Sequence, residues 1–466
     1  MNHRTQILTD DAALSEKDLS EPLTYGVEAF LSRDYADLEK GRLWPLVWQQ
    51  AGRVEEIANI GDFITYDIGD DSIIVVRTGK DALKAYHNVC PHRGRRLIDI
   101  VPGEHNATGS RRAFKCGFHG WTFGLDGGNS FILDKQDWKG CLDDPARTRL
   151  SDVKVDSWGG WVFINMDPDC VPLRDYLEPA ASILDPFELE RMRYKWRQWV
   201  IFDCNWKTAL EAFMEAYHVT GTHTQMLRNG DYYSYSAAFD LHGVSGFDQR
   251  DAALKTKAGS AVTRTGKSGV DPRISTYELQ NEIYTTVNNS GTTETLVKAA
   301  SRLKDELPEG TSGDAVIAHW LASAEMDDAA RGVTWPTITP EQMGKAGLAW
   351  HIFPNMAVLQ GVTFALCYRT RPHGDDPNKC IFEAYAIERF PEGEEPRPDW
   401  IYAEPTEENW GLVLAQDFFN MAAVQKGMKS RGFRGTLPNP HQEQKVTNFH
   451  RNLARYMERG APKSIR

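Results

Sequence analysis

The 466-residue sequence predicts an α+β protein: a small all-β domain near residues 46–166, then a larger domain of antiparallel strands and helices over 167–466. Two observations predict this. From Trp48 to Ile164, short runs rich in β-branched and aromatic residues are separated by Gly/Asp turn signals, the pattern of strands and hairpins. Beyond Asp167, apolar runs of strand length are interleaved with segments whose apolar residues recur every three to four positions, the helical period. The length suits two or three domains with a large core.

Composition narrows the class. Hydrophobic residues at 41% and charged residues at 25% are ordinary for a globular protein. A net charge of −12 argues against nucleic acid or an anionic membrane surface as partner. No run of eighteen apolar residues suggests a membrane span, and the polar start Met1–Gln6 lacks the apolar core of a signal peptide. Cys141, Cys170, Cys204, Cys367 and Cys380 follow no spacing and read as reduced residues, which fits a cytoplasmic protein.

In chain order, residues 1–45 carry a helical stretch from Val27 to Trp44, expected to pack on the larger domain. Phe63–Ile68 and Ser72–Val76 flank Gly69-Asp70-Asp71 as a hairpin. Further strands follow at Ala85–Val89, Ala113–Lys115 and Trp161–Ile164. The polar loop Val101–Ser110 reads as a surface excursion, with His105 solvated. In the larger domain, the strand Tyr194–Phe202 leads into a helix from Asn205. Residues 226–292 read as loops with short strands. Helices are expected near 293–307 and 313–331, split by Pro308-Glu309-Gly310, as an insertion that covers a pocket or meets a partner. Strands resume at 347–353, 357–368 and 380–388, and a final long helix is expected over 407–430.

Two stretches carry chemistry. Cys90-Pro91-His92-Arg93-Gly94 and Cys116-Gly117-Phe118-His119-Gly120-Trp121 form a C-x-H … C-x-x-H pattern on loops between strands. In a Rieske [2Fe-2S] cluster, two cysteines hold one iron and two histidines the other, placing the potential at about −150 to +300 mV. Tetrahedral zinc also accepts two Cys and two His, but zinc sites usually separate the cysteine and histidine pairs, whereas here each loop supplies one of each. The second constellation lies on the helix from Asn205: Glu211, Glu215, His218 and, beyond the Val219–Thr222 turn, His223. Two histidines and a carboxylate on one iron leave positions open for O2 and substrate. From the residues alone, Glu407, Glu408 and Asp417 are equal candidates for that carboxylate. Glu215 stands three residues before His218 and so shares its helix face, from where it can fix the ring's tautomer; Glu211, one turn earlier, is its rival.

Taken together, these motifs, with Asn205-Trp206-Lys207 and Gln416-Asp417 in the same order, resemble the α (oxygenase) subunits of Rieske non-haem iron ring-hydroxylating oxygenases over most of the chain. The resemblance implies a helix-grip, Bet v 1-like catalytic domain. It implies a cluster on Cys90, His92, Cys116 and His119, and a mononuclear Fe(II) on His218, His223 and Asp417. Asn205 would stand near that iron, and Glu215 would link His218 to a Rieske histidine of a neighbouring subunit. The family usually has Asp where this chain has Glu215, and branches acting on quaternary ammonium substrates also use Glu. Arg95 and Phe118 occupy the positions where respiratory Rieske proteins carry a disulfide. The chain shows no nucleotide-binding glycine fingerprint, so NAD(P)H-derived electrons are expected from a separate reductase, with or without a ferredoxin. The assembly implied is a homotrimer, or α3β3 with a small β subunit. The expected reaction is O2-dependent hydroxylation of a hydrophobic, aromatic small molecule; the alternatives are monooxygenation or demethylation of a non-aromatic or quaternary ammonium substrate, or electron carriage without catalysis. Phe213, Met214, Phe353, Met356, Val358, Phe364 and Leu366 are the pocket candidates, equally readable as core. Arg369 and Arg371 can bind a carboxylate but stand before a Pro-His-Gly-Asp turn that favours the surface.

Overall fold

The computed structural model describes residues 19–228, 233–247 and 270–466. Two compact units emerge: residues 37–178, and residues up to 36 together with 179–466. The sequence expectation placed these seams at 45/46 and 166/167. The first falls instead inside the helix Arg33–Arg42, because a continuous helix gives no compositional sign of where its contacts change sides.

The smaller unit is built on a seven-stranded sheet. Its strands are β1 (Gln49–Arg53), β2 (Asp62–Ile68), β3 (Asp71–Gly79), β4 (Ala82–His87), β5 (Thr108–Ser110), β9 (Asp152–Trp158) and β10 (Trp161–Asn165), in the order β1-β10-β9-β4-β3-β2-β5. A separate three-stranded sheet is formed by β6 (Phe114–Lys115), β7 (Thr122–Phe123) and β8 (Asn129–Phe131). The β2–β3 hairpin turns at Gly69, whose φ of +57° is readily open to a residue without Cβ. The 101–110 loop lies mostly at the surface, as expected, but it is tied to the sheet. Its end pairs with β2 as an edge strand, Thr65 Oγ1 accepts from the Ala107 N–H at 2.7 Å, and His105 is buried rather than solvated. A loop's polarity does not reveal that its backbone will add to a sheet edge.

The larger unit centres on an eight-stranded sheet. Its strands are β11 (Arg193–Phe202), β12 (Ser234–Phe239), β13 (His242–Phe247), β14 (Ala349–Ile352), β15 (Met356–Gln360), β16 (Phe364–Pro372), β17 (Cys380–Glu388) and β18 (Ile401–Tyr402), in the order β12-β13-β14-β15-β16-β17-β11-β18. Among the described residues only β18 pairs in parallel. Side chains alternate between faces along each strand, and the register places Val200 beside Phe382, Tyr368 beside Ala384 and Ala357 beside Tyr368 on one face. Against that face pack the helices α1 (Trp206–Glu211) and α6 (Gln444–Met457), shown by Phe213 on Tyr368 and Phe449 on His351. The helices α3 (Glu294–Ser301) and α4 (Gly313–Ala330) form their own cluster around Leu296, Leu303 and Trp320.

Three expectations are corrected. Within 226–292, the described residues include a hairpin (β12–β13) and a 15-residue helix, α2 (Pro272–Thr286). Its start signal was present in the sequence: Asp271 caps it, with Pro272 at the first turn. The expected helix over 407–430 is broken at Gly411, whose φ is +81°; a Cβ there would lie 2.4 Å from the Thr286 carbonyl oxygen. The long helix α5 therefore runs from Leu412 to Met428. The last helix is α6, which the sequence reading missed although Val446, Phe449, Leu453 and Met457 recur at helical spacing; it also buries Lys445, Asn448, His450 and Asn452.

Candidate metal centres

In the smaller unit, the two motif loops share one backbone design. The Cys90 N–H donates to the Arg95 carbonyl and the Cys116 N–H to the Trp121 carbonyl, both at 2.8 Å. The N–H groups of Gly94 and Gly120 return to the carbonyls of Cys90 and Cys116, at 3.0 and 3.1 Å. Each glycine takes a left-handed φ, +75° and +74°, which lets the chain fold back so tightly. The two thiols, both buried, meet inside: burial pushes the Cys90 thiol up, and Cys116 adds to this, while the backbone N–H groups of His92 and Arg93 pull it down. The two imidazoles meet beside them, with ring centroids 4.6 Å apart. Trp121 stacks on His92 at 4.9 Å and 7°, and burial, then His119 and Arg93, hold His92 below its usual range.

This set fits a Rieske cluster. Thiolates pair at one end and imidazoles at the other, as a two-iron group needs, and the Nδ1 of His119 is buried with no hydrogen-bond partner among the described residues. A cavity of about 290 Å³ opens beside the imidazoles, lined by Trp121, Leu133, Asp134, Asp137 and Trp138.

In the larger unit, His218, His223 and Asp417 bring one ligand atom each to within 4.8 Å of one another. The Nε2 atoms of His218 and His223 lie 3.5 and 3.1 Å from Asp417 Oδ1. Both Nδ1 atoms point away: that of His218 is 2.7 Å from Glu215 Oε1, and that of His223 is 2.8 Å from Gln416 Oε1. A carboxylate and an amide oxygen can only accept, so each Nδ1 carries a proton. Each Nε2 is left to present a lone pair once a metal ion takes the place of any proton there. That is the arrangement a metal ion requires. Burial works against charge on His218, yet Glu215, by charge and hydrogen bond, and then Asp417 raise it to about 9. A carboxylate-rich pocket of this kind favours a cation, whether a proton or a metal ion.

The local fold explains the placement. The helix expected to carry Glu211 through His218 ends at Glu211. Glu215 instead reaches His218 through a turn, its second oxygen accepting the His218 backbone N–H at 3.0 Å. His218 and His223 then bracket the helical turn Val219–Thr222. Glu211 is engaged elsewhere, with its Oε1 2.6 Å from His450 Nε2.

Asn205 is bonded to groups other than the iron ligands. Its Oδ1 accepts the Lys207 N–H at 3.1 Å as the N-cap of α1, and its Nδ2 donates to the Pro377 carbonyl at 2.7 Å. Each end of the amide is held by one bond within the fold. Asn205→Ala is therefore expected to cost about 0.5–2 kcal/mol of stability, read as a lower urea midpoint, with metal content unchanged.

The pocket candidates divide. Phe213 stacks on Tyr368 at 4.0 Å and meets Phe382, which meets Phe418 beside Asp417. Met214 is fully buried. Leu366 shares the face of Tyr368, whereas Met356 and Val358, paired with Arg369 and Cys367, lie on the opposite face. Phe364 packs on the α3–α4 cluster and Phe353 on Phe449 and Tyr456 of α6. Arg369 and Arg371 are buried, not at the surface: Arg369 Nη2 and Nε lie 2.5 and 2.6 Å from the Glu383 carboxylate, and Arg371 Nε lies 3.5 Å from it. Sequence reading missed Tyr368 and Glu383 altogether, and gave Gln416 no role.

Comparison with known proteins bears on both units. Residues 187–459 match the ring hydroxylating alpha subunit (catalytic domain) model, and residues 47–133 the Rieske [2Fe-2S] domain model. The chain is 30% identical over 285 residues to the large oxygenase component of the naphthalene 1,2-dioxygenase system of Pseudomonas putida. That match covers 58% of each chain, so it spans less than two thirds of the relative. The carnitine monooxygenase oxygenase subunit of Escherichia coli is 29% identical over 221 residues, covering 46% of this chain and 57% of the relative. Among solved structures, a quaternary ammonium Rieske monooxygenase in complex with L-carnitine has TM-score 0.61 at 17% identity, covering 95% of this chain and 97% of the other. Naphthalene 1,2-dioxygenase with indole bound also has TM-score 0.61 at 17% identity, covering 97% and 95%. At that identity the structures attest a shared fold. No helix among the described residues is long and apolar enough to cross a membrane.

Proposed function

Because the chain belongs to the ring-hydroxylating alpha-subunit family, with a Rieske domain ahead of the catalytic domain, we propose that it is the terminal oxygenase component of a multicomponent system. It would use O2 and NAD(P)H-derived electrons, delivered by a separate reductase with or without a ferredoxin, to hydroxylate a hydrophobic small molecule. The observation that carries this reading is the convergence of two Nε2 atoms on the Asp417 carboxylate with both Nδ1 atoms held from behind. An electron carrier has no use for that arrangement. When bound, the cluster supplies single electrons and the iron supplies O2 activation.

The protein's own residues orient and enclose. Cys90, Cys116, His92 and His119 hold the cluster; His218, His223 and Asp417 hold the iron. Glu215 and Gln416 keep the protons on the outward nitrogens. Phe213, Tyr368, Phe382 and Phe418 form an aromatic wall that excludes water from the segments bearing the ligands. Glu215 is also the group through which an electron would enter from a neighbouring chain in a trimer; a related quaternary ammonium monooxygenase is described with inter-subunit electron transfer.

Glu215→Gln keeps an acceptor for the His218 ring but removes its charge. Coupled turnover is expected to fall at least roughly tenfold, the scale on which outer ligands of metal-bound histidines act, in protein loaded with both metals. Unchanged turnover in fully loaded protein would show that Glu215 has no part in electron entry.

A second reading is favoured by Glu215 itself and by the same aromatic wall, since aromatic faces also hold quaternary ammonium groups. Product analysis with labelled O2 decides between them: ring hydroxylation of an aromatic panel supports the first, N-dealkylation of a quaternary ammonium panel the second.

A further inference from the structure

Tyr368 sits on β16 between the two segments that carry the iron ligands. Its ring stacks on Phe213, five residues before His218, and meets Phe382 at 5.8 Å; Phe382 in turn contacts Phe418, the neighbour of Asp417. Tyr368 is 2% exposed, yet among the described residues its hydroxyl has no hydrogen-bond partner. Its ring neighbours are the aromatic faces of Phe213 and Phe382. Most buried tyrosine hydroxyls find a partner; that of Tyr368 is not fully enclosed. Burial, and then the Asp417 carboxylate, raise the phenol well above its usual range, so it remains a neutral donor.

Building on the proposed oxygenase reading, we propose that Tyr368 is a specificity-determining residue whose hydroxyl donates to an acceptor oxygen of the substrate. The substrate class is then a ring-bearing hydrophobic molecule with a carbonyl or ether oxygen, not a bare hydrocarbon. The aromatic wall binds the apolar body, and Tyr368 selects its orientation. A site with a donor waiting in apolar surroundings discriminates against the analogue lacking the acceptor, because that analogue leaves the donor unpaired.

The test uses the metal-loaded protein and two probes of similar shape, acetophenone and isopropylbenzene, with binding followed by tryptophan fluorescence and calorimetry. The wild-type protein is expected to bind the ketone roughly tenfold more tightly, the worth of one such hydrogen bond. Tyr368→Phe is expected to bring the ratio to near one through loss of ketone affinity alone. Its urea midpoint should be unchanged, because the hydroxyl makes no bond within the protein. Three outcomes each overturn the proposal: equal binding of the two probes by the wild type, failure of both to bind, or an unchanged ratio in Tyr368→Phe. A lowered midpoint in Tyr368→Phe would also overturn it, by showing that the hydroxyl is bonded within the protein. Iron content is measured in parallel. Protein that prefers the ketone but binds only two irons per chain would refute the oxygenase reading while sparing the role of Tyr368.

Discussion

Asp417→Ala is expected to lower the iron content from about three atoms per chain to about two and to reduce substrate hydroxylation to background, with the visible spectrum of the cluster intact. The carboxylate has two tasks here. It is the oxygen facing both Nε2 atoms, at 3.5 and 3.1 Å, and it is one of the charges that make this buried pocket hospitable to a cation. Alanine removes both, leaving two histidines and an unfilled carboxylate position. Asp417→Asn separates the tasks, since it keeps an oxygen but loses the charge; iron bound weakly, at raised iron concentration, is the outcome expected. Iron analysis by mass spectrometry and the cluster's absorption measured on one sample decide the matter. Three irons per chain in Asp417→Ala would remove Asp417 from the ligand set.

Glu383→Gln is expected to cost about 3–5 kcal/mol, the penalty for breaking a buried ion pair by removing one partner. Glu383 has no exposed surface and its carboxylate is shared by Arg369 and Arg371 on the sheet face opposite Tyr368. Glutamine leaves the volume but withdraws the charge that two buried guanidiniums were folded against. The effect is read as a fall in the urea midpoint of the holoprotein. A midpoint within error of wild type would mean that the other contacts of the two arginines suffice without the carboxylate.

The sequence disclosed most where chemistry is local. The cluster ligands stand within two short loops, and the spacing of Cys90–His92 and Cys116–His119 needed nothing distant to be interpreted. His218 and His223 also stand close together, but two histidines at that spacing are weak evidence by themselves, and the resemblance was needed to read them as ligands. Asp417 was different: it lies on a helix far along the chain, and by composition alone it equalled Glu407 and Glu408. Only the resemblance distinguished it. Tertiary context defeated the reading elsewhere. Asn205 looked like a polar group for the iron, but the same short side chain that could bind water is an effective helix cap, and that use prevailed. Arg369 and Arg371 looked superficial because their partner, Glu383, is on the adjacent strand and is visible only once the register is fixed. Helix α6 was missed although Val446, Phe449, Leu453 and Met457 recur at helical spacing; the polar residues it also buries make the segment hydrophilic on average and mask that stripe.

The matched backbone closures of the two cysteine loops bear on how the protein acquires iron. Each loop is shut by its own amide-to-carbonyl bonds and its left-handed glycine. Its path is thus set by bonds that none of the four ligand side chains makes, unlike a zinc finger, which folds only around its ion. The thiols are buried and the imidazoles half-buried beside their cavity, so the imidazole side is the more accessible of the two.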